Sequence, residues 1–350
     1  MRYKLLGKSG LRVSEICLGT MTFGEEWGWG SSKEQSKAVF DAYCNQGGNF
    51  IDTANRYTEG TSEKYVGEFI AADREHFVLA TKYTLFTKKN DVSASGNNRK
   101  NMMQALDASL KRLGTDYIDL YWIHAWDFTT PEEEVMRALE DMVRAGKILT
   151  IGISDTPAWV VSRANTIAEL RGWSQFVGLQ IEYSLTQRTV ERDLVPMARQ
   201  FDMAILAWAP LAGGALTGKY LENAGEEKRL KPESARLNDK NTATARVVVD
   251  ISKEIGCKPS AVALNWLRQQ QGTVIPLVGA RTLGQIEENL DCLNWSLNDE
   301  QIQRLHTASA IELGFPHDFL VNSDPIIFGG MSGEIDNPRK QKLSNFGHRL

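Results

Sequence analysis

Eight short apolar runs recur along the chain, and each is followed by a stretch with helical spacing of its apolar residues. The apolar runs occupy 15–20, 49–54, 77–82, 117–124, 148–154, 176–183, 203–210 and 273–280. The helical stretches occupy 32–46, 61–72, 98–113, 131–145, 157–171, 190–201, 241–255 and 282–293. Runs that are apolar on both faces are typical of parallel strands covered by helices. Eight such units predict an α/β fold, a closed (β/α)8 TIM barrel.

An open doubly wound sheet is the alternative fold. That architecture usually has fewer strands and a glycine-rich first turn, and no GxGxxG follows a strand here. We see no linker long enough to divide domains, so residues 1–350 are predicted to form one domain. A β-hairpin is expected before the barrel, and 311–350 is expected to be an irregular extension. An imperfect capping pattern at Ser62 marks the predicted start of helix 61–72.

Composition narrows the classes of function. The chain has 350 residues, of which 42% are hydrophobic, which is ample for a large core. The net charge of −4 argues against nucleic acid as a partner. The apolar runs are too short to span a membrane, and the N-terminus has no signal-peptide pattern. The four cysteines and five histidines are scattered without metal-ligand spacing, so we expect a reduced, cytoplasmic protein with no metal site.

Polar side chains stand at the ends of successive predicted strands. Asp52, Lys82 and His124 end the second, third and fourth, and Tyr57 follows Asp52 after a short loop. Barrel active sites form at these strand ends, so the four residues are candidate catalytic groups.

Their chemistry is that of carbonyl activation. An ammonium beside a phenol favours the phenolate, so Lys82 is expected to ease proton donation by Tyr57. Asp52 would hold Lys82, and His124 would donate a hydrogen bond to a carbonyl oxygen. None of the four supplies a hydride, so a bound hydride carrier is required. Taken singly, each has an ordinary structural explanation, such as a helix cap for Asp52 or core packing for His124.

The motifs GNFIDTANRYTEGTSEKYVG, DYIDLYWIHAWD and VIPLVGARTLGQIEENL resemble the aldo-keto reductase superfamily. The resemblance runs from about residue 2 to 310 and is strongest to the branch that holds bacterial and fungal enzymes and potassium-channel β subunits. It implies a monomer-scale barrel, NADP(H), and reversible reduction of aldehydes and ketones. It also implies Tyr57 as general acid/base, Lys82 and Asp52 as its tuning pair, and His124 as the group that orients the substrate.

The same resemblance implies a set of cofactor-binding residues. For the nicotinamide and its carboxamide these are Thr20, Met21, Asp52, Ser154, Asp155, Gln180, Trp208 and Ala209. For the pyrophosphate they are Pro210, Leu211, Gly213, Gly214 and Lys219. For the adenosine part they are Gly279, Arg281, Gln285, Glu288 and Asn289, with Arg281 placed to pair with a 2′-phosphate. Three positions depart from the commoner pattern: Asp155 replaces Asn, Trp208 replaces Tyr, and Ala209 lacks a hydroxyl.

Three functions compete on this evidence. The first is an NADPH-dependent carbonyl reductase; the second is an NADPH-sensing binding module with slow turnover, as in the channel β subunits. A dehydrogenase that works mainly in the oxidative direction would use the same residues. A lyase or metal-dependent hydrolase is disfavoured, because no second carboxylate accompanies Asp52.

Substrate specificity is expected to come from the loops 23–31, 84–98 and 125–130 and from the tail after 311. Their aromatic content favours aromatic or apolar carbonyls as small-molecule substrates. Trp27 and Trp29 either line the pocket or fold their loop onto the surface, and Trp126 is the better candidate for a pocket wall. The polar segment 221–240 is a solvated loop or one that closes over the cofactor. Oligomeric state stays open.

Overall fold

The computed structural model describes residues 1–221, 230, 231 and 233–336. Eight parallel strands close a barrel in the order β10-β3-β4-β5-β6-β7-β8-β9, which confirms the predicted fold. The strands are β3 (Cys17–Gly19), β4 (Phe50–Asp52), β5 (Val78–Tyr83), β6 (Ile118–Ile123), β7 (Ile148–Ser154), β8 (Phe176–Glu182), β9 (Ala204–Trp208) and β10 (Val274–Val278). Closure is made by β10 against β3, where Val278 pairs with Leu18.

Helices cover the outside of the barrel. They are α1 (Lys33–Asn45), α2 (Thr61–Ile70), α3 (Arg99–Leu113), α4 (Glu132–Arg144), α5 (Ala158–Arg171), α6 (Leu194–Gln200), α7 (Asp239–Ile255), α8 (Pro259–Arg268), α9 (Leu283–Leu290) and α10 (Asp299–Ala308). The predictions missed α8 and α10. In α8 every residue from Ser260 to Leu267 is buried, so this helix lacks the polar face that reveals a surface helix.

A two-stranded hairpin, β1 (Tyr3–Leu5) and β2 (Arg12–Ser14), precedes the barrel as predicted. Leu6 and Val13 of this segment pack in one buried cluster with Phe50, Val78 and Ala204, which stand at the starts of barrel strands. The hairpin therefore fills the N-terminal end of the barrel, and the C-terminal end is left for the site.

The floor of that open end is Trp122 of β6, whose side chain is fully buried inside the barrel. Gly152 and Gly178, on the two strands that follow, leave room for the indole. A Cβ at Gly178 would lie 2.8 Å from Cη2 of Trp122, and one at Gly152 would overlap the ring. Two strand glycines thus admit a large side chain beneath the site.

The extension after 310 is less irregular than predicted. Its described part, 311–336, contains two short helices, α11 (His317–Val321) and α12 (Asp324–Phe328), each about one turn long. Residues 337–350 of the extension, and 222–229 and 232 of the predicted polar segment, lie outside the described residues. In the described ranges, no helix combines the length and the apolar character that crossing a membrane requires.

Candidate active site

Lys82 lies at the centre of the site and is completely buried. It belongs to β5, and its ammonium donates to Oδ2 of Asp52, the last residue of β4. The same nitrogen donates to the Thr53 carbonyl at 2.8 Å and to the Tyr57 hydroxyl at 3.2 Å. An ammonium has three protons, so all of its donors are used. The predicted meeting of Asp52, Lys82 and Tyr57 is present in the structure.

The electrostatics of this group combine burial with a close ion pair. Burial acts to lower the pKa of Lys82, but the Asp52 carboxylate and Tyr57 raise it above its ordinary value, so the ammonium stays charged. Burial raises the pKa of Asp52, and Lys82 and Gln180 oppose that effect. Burial also raises the pKa of Tyr57, whereas the Lys82 ammonium lowers it. The ammonium therefore acts on Tyr57 in the expected direction, but burial outweighs it.

Asp52 is held by a second neighbour from across the barrel. Nε2 of Gln180 donates to its Oδ1 at 3.0 Å. The Trp122 indole below also lowers the pKa of Asp52, although its Nε1 has no hydrogen bond of standard geometry. The Thr20 hydroxyl contacts the Asp52 carbonyl at 3.1 Å. Two positions implied for the cofactor, Thr20 and Gln180, thus also support Asp52.

A left-handed turn places Tyr57 over the barrel mouth. Thr58, Glu59 and Gly60 have consecutive positive φ values of 45°, 56° and 91°, which is costly for the first two residues. The turn is held by the Thr58 hydroxyl, which donates to the Phe23 carbonyl at 2.6 Å. Sequence reasoning missed this turn, for which Gly60 was the available signal. Gly60, and not the predicted Ser62, occupies the N-cap of α2.

His124 follows β6 and meets Tyr57 edge to face. The two ring centroids are 5.8 Å apart, with an interplanar angle of 83°. Burial and the Lys82 ammonium lower the pKa of His124 to about 3, so the ring is neutral at physiological pH. Its Nδ1 is buried and has no hydrogen-bond partner among the described residues. A neutral imidazole still offers one N–H donor for an oxygen placed next to Tyr57.

The neutral state of His124 predicts a particular sensitivity to acid. Between pH 6.5 and about 3 the unfolded chain binds a proton on His124 that the folded chain rejects, so stability falls as the pH falls through this window. Between pH 7 and pH 5, the free energy of unfolding of the native chain should fall by about 2 kcal/mol more than that of His124→Gln. Urea unfolding at the two pH values measures this. His76→Gln, at an exposed histidine, is the control, and equal losses in all three proteins would contradict the expectation.

Next to the catalytic group, Asp155 and Trp208 are joined across the barrel mouth. Nε1 of Trp208 donates to Oδ1 of Asp155 at 3.1 Å. Asp155 directly follows β7 and has a left-handed backbone, with φ of 42°. Ser154 beside it is buried. Of the residues implied for the nicotinamide end, Ser154, Gln180 and Trp208 thus lie on the neighbouring strands β7, β8 and β9.

The segment after β9 forms a backbone cradle. Ala212, Gly213 and Gly214 have positive φ values of 51°, 69° and 94°. A Cβ on Gly214 would lie 2.8 Å from Cε of Lys219, so the lysine approaches the bare backbone closely. A lysine ammonium beside a bare glycine backbone suits an anionic group such as a pyrophosphate.

The remaining implied residues lie around the same end of the barrel. Met21 follows β3, Ala209, Pro210 and Leu211 follow β9, Gly279 and Arg281 follow β10, and Gln285, Glu288 and Asn289 are in α9. Several of them have protein partners: the side-chain Oε1 of Gln285 accepts from the Arg281 N–H at 2.8 Å, and Glu288 accepts from the Ser260 hydroxyl at 3.0 Å. Gln285 therefore orders the backbone at Arg281.

Aromatic rings stand beside Tyr57 on the outer side of the mouth. The Trp27 ring meets Tyr57 edge to face, with centroids 6.5 Å apart, and lies tilted against Trp29, with centroids 5.6 Å apart. The Arg56 guanidinium lies 4.5 Å from the centroid of Phe86 and 5.8 Å from that of Trp27. The structure places Trp27 beside Tyr57, and a role in lining a substrate pocket stays a prediction.

Comparison with known proteins identifies the family. The model of the "Aldo/keto reductase family" matches residues 15–310. The chain belongs to this family. As an aldo/keto reductase it is an oxidoreductase, and the resemblance of its motifs is confirmed.

Several curated fungal relatives match most of the chain. The NADP(+) aryl-alcohol dehydrogenase of Phanerodontia chrysosporium is 39% identical over 88% of this chain and 86% of its own. Norsolorinic acid reductase stcV of Emericella nidulans is 37% identical over 90% of this chain and 83% of its own. Aldo-keto reductase ausK of Aspergillus calidoustus is 35% identical over 93% of this chain and 86% of its own. Each match extends well beyond the site motifs.

Proposed function

We propose that this aldo/keto reductase interconverts aromatic aldehydes or ketones and their alcohols, with Tyr57 as the general acid/base. The observation that carries the proposal is the 3.2 Å contact between the Tyr57 hydroxyl and a fully buried, charge-paired Lys82 at the barrel mouth. The cofactor is NADP(H), and when bound it supplies the hydride that the carbonyl carbon accepts.

Each residue of the group has a defined task in this reaction. Tyr57 gives its proton to the carbonyl oxygen as the alcohol forms and takes it back in the reverse direction. Lys82 stays charged and stabilises the phenolate that remains. Asp52 keeps Lys82 in place, with Gln180 and Thr53 as further partners. The neutral His124 donates a second hydrogen bond to the same oxygen.

The residues at the mouth fit a nicotinamide dinucleotide. Trp208 offers a ring face for the nicotinamide, and its indole is fixed by Asp155. The Gly213–Gly214 backbone and Lys219 suit the pyrophosphate, because the absence of a Cβ at Gly214 lets the lysine lie against the bare backbone. Arg281 would pair with the 2′-phosphate, which distinguishes NADP(H) from NAD(H).

The choice of aromatic substrates rests on Trp27, Trp29 and Phe86. Trp27 contacts the edge of Tyr57, so a carbonyl held at Tyr57 has an aromatic surface beside it. Flat aromatic groups gain from offset or edge contacts with such rings. The relative named aryl-alcohol dehydrogenase supports the same substrate class.

The test is consumption of NADPH, followed at 340 nm, with 4-nitrobenzaldehyde and with hexanal. We expect kcat/KM to be at least about tenfold higher for the aromatic aldehyde, and Trp27→Ala to reduce that advantage. Trp159→Ala is the matched control, because Trp159 lies on α5 and is 60% exposed. Equal rates for both aldehydes would contradict the substrate class. Binding of NADPH without turnover of any carbonyl would contradict the enzyme and favour a sensor.

A further inference from the structure

Asp155 is a carboxylate at the barrel mouth that has no cationic partner among the described residues, unlike two of its neighbours. Asp52 is paired with Lys82, and Glu182 is paired with Arg236 at 2.5 Å. Across the described ranges, Asp155 forms no ion pair, and the donor to its carboxylate is the neutral indole of Trp208. The mouth therefore carries a negative charge at Asp155 that no ion pair offsets.

The position of this charge is fixed by the backbone. The φ of 42° lies in the left-handed region, which Asp and Asn enter more readily than other side-chain-bearing residues. The Asp155 N–H donates to the Gln180 carbonyl at 3.3 Å, which ties the end of β7 to β8. With the indole bond on its carboxylate, Asp155 is held at both the main chain and the side chain.

The charge acts on the reacting groups. Partial desolvation at the mouth raises the pKa of Asp155, and the Trp208 indole and the Lys82 ammonium lower it. In turn Asp155 contributes to raising the pKa of Tyr57, after the larger effect of burial. The geometry agrees, because Gln180 accepts from the Asp155 N–H through its main chain and donates through its side chain to Asp52, the partner of Lys82.

The nicotinamide must lie within reach of this charge. Hydride transfer needs the donor carbon about 3–3.5 Å from the carbonyl carbon, whose oxygen is held at Tyr57. The two redox forms of the ring differ in charge: the reduced ring is neutral, and loss of a hydride leaves a pyridinium cation. A fixed carboxylate stabilises the cation and has little effect on the neutral ring.

We propose that Asp155 makes the site bind NADP⁺ in preference to NADPH, by about tenfold relative to an uncharged side chain. The inference rests on the proposed function, since it takes the nicotinamide to lie at this end of the barrel. Hydride passes to the carbonyl carbon and the Tyr57 proton to its oxygen, and Asp155 takes no part in either transfer. Its effect is to shift the bound equilibrium toward NADP⁺ and alcohol and to slow release of NADP⁺.

The test compares dissociation constants for NADP⁺ and NADPH, measured by calorimetry on the full chain at pH 7.5. Asp155→Asn keeps an acceptor for Trp208 and suits the left-handed backbone, so it should fold. The ratio of the NADP⁺ constant to the NADPH constant should rise about tenfold. Asp155→Gly, which is also compatible with this φ, should raise the ratio as well.

Asp202→Asn is the matched control. Asp202 also has a left-handed backbone, with φ of 51°, but it precedes β9 at the opposite end of the barrel. In this variant the ratio of the NADP⁺ to the NADPH dissociation constant should equal that of the native chain. If the native chain binds both nucleotides and Asp155→Asn leaves their ratio within twofold, the inference is overturned and the proposed function stands. If the native chain binds neither nucleotide, the inference about Asp155 and the proposed function are both overturned.

Discussion

Tyr57→Phe is expected to lower kcat/KM for carbonyl reduction by about 10²–10⁴-fold, while NADPH still binds. The substitution removes the proton donor and leaves the ring that contacts His124 and Trp27. Lys82 keeps its bonds to Asp52 and to the Thr53 carbonyl, so the ion pair stays intact. The loss should therefore fall on proton transfer and not on the fold.

The measurement is steady-state oxidation of NADPH with 4-nitrobenzaldehyde, with nucleotide affinity determined separately. Tyr65→Phe is the control, because Tyr65 packs against Phe69 on α2, away from Lys82. Native-like turnover in Tyr57→Phe would show that another group protonates the oxygen. Loss of NADPH binding would show that Tyr57 acts on the cofactor.

The barrel was predictable because its signal is repeated eight times. Apolar runs such as 117–124 and 176–183 are buried on nearly every residue, and their lengths match strands. The predictions failed where this contrast disappears. Helix α8 is buried along almost its whole length, so its residues show no polar face to set a period of 3.6.

The candidate site was predictable in part for a different reason. Strand ends can be counted along the sequence, which brought Asp52, Lys82 and His124 to one end of the barrel. The conformation of a loop cannot be obtained by counting positions along the sequence in this way. The left-handed turn at Thr58 depends on a hydroxyl that reaches Phe23, 35 residues away, and this contact leaves no local pattern. The balance that sets the pKa of Tyr57 was likewise out of reach, since it depends on how far the fold excludes water.

Lys82→Met is expected to abolish activity and to lower the free energy of unfolding by about 3–5 kcal/mol. Lys82 is fully buried, so its removal leaves the Asp52 carboxylate inside the protein without a cation. Gln180 still donates to Asp52, but its neutral amide N–H does not replace the full positive charge of the ammonium. The damage should thus come from the stranded charge and not from lost volume, because Met is of similar size.

The double variant Asp52→Asn/Lys82→Met separates stability from catalysis. With both charges removed no ion is stranded, so urea unfolding should show much of the stability recovered, while turnover stays absent. The single variant should also gain stability as the pH is lowered from 7 to 5. Burial raises the pKa of Asp52, so the folded form takes up its proton before the unfolded form does. Equal stability of the single and double variants at pH 7 would mean that Asp52 is already protonated in folded Lys82→Met, so that no charge is stranded there. Because Lys82 lowers the pKa of Asp52, its removal favours that protonation, and the stability lost in Lys82→Met would then have another source.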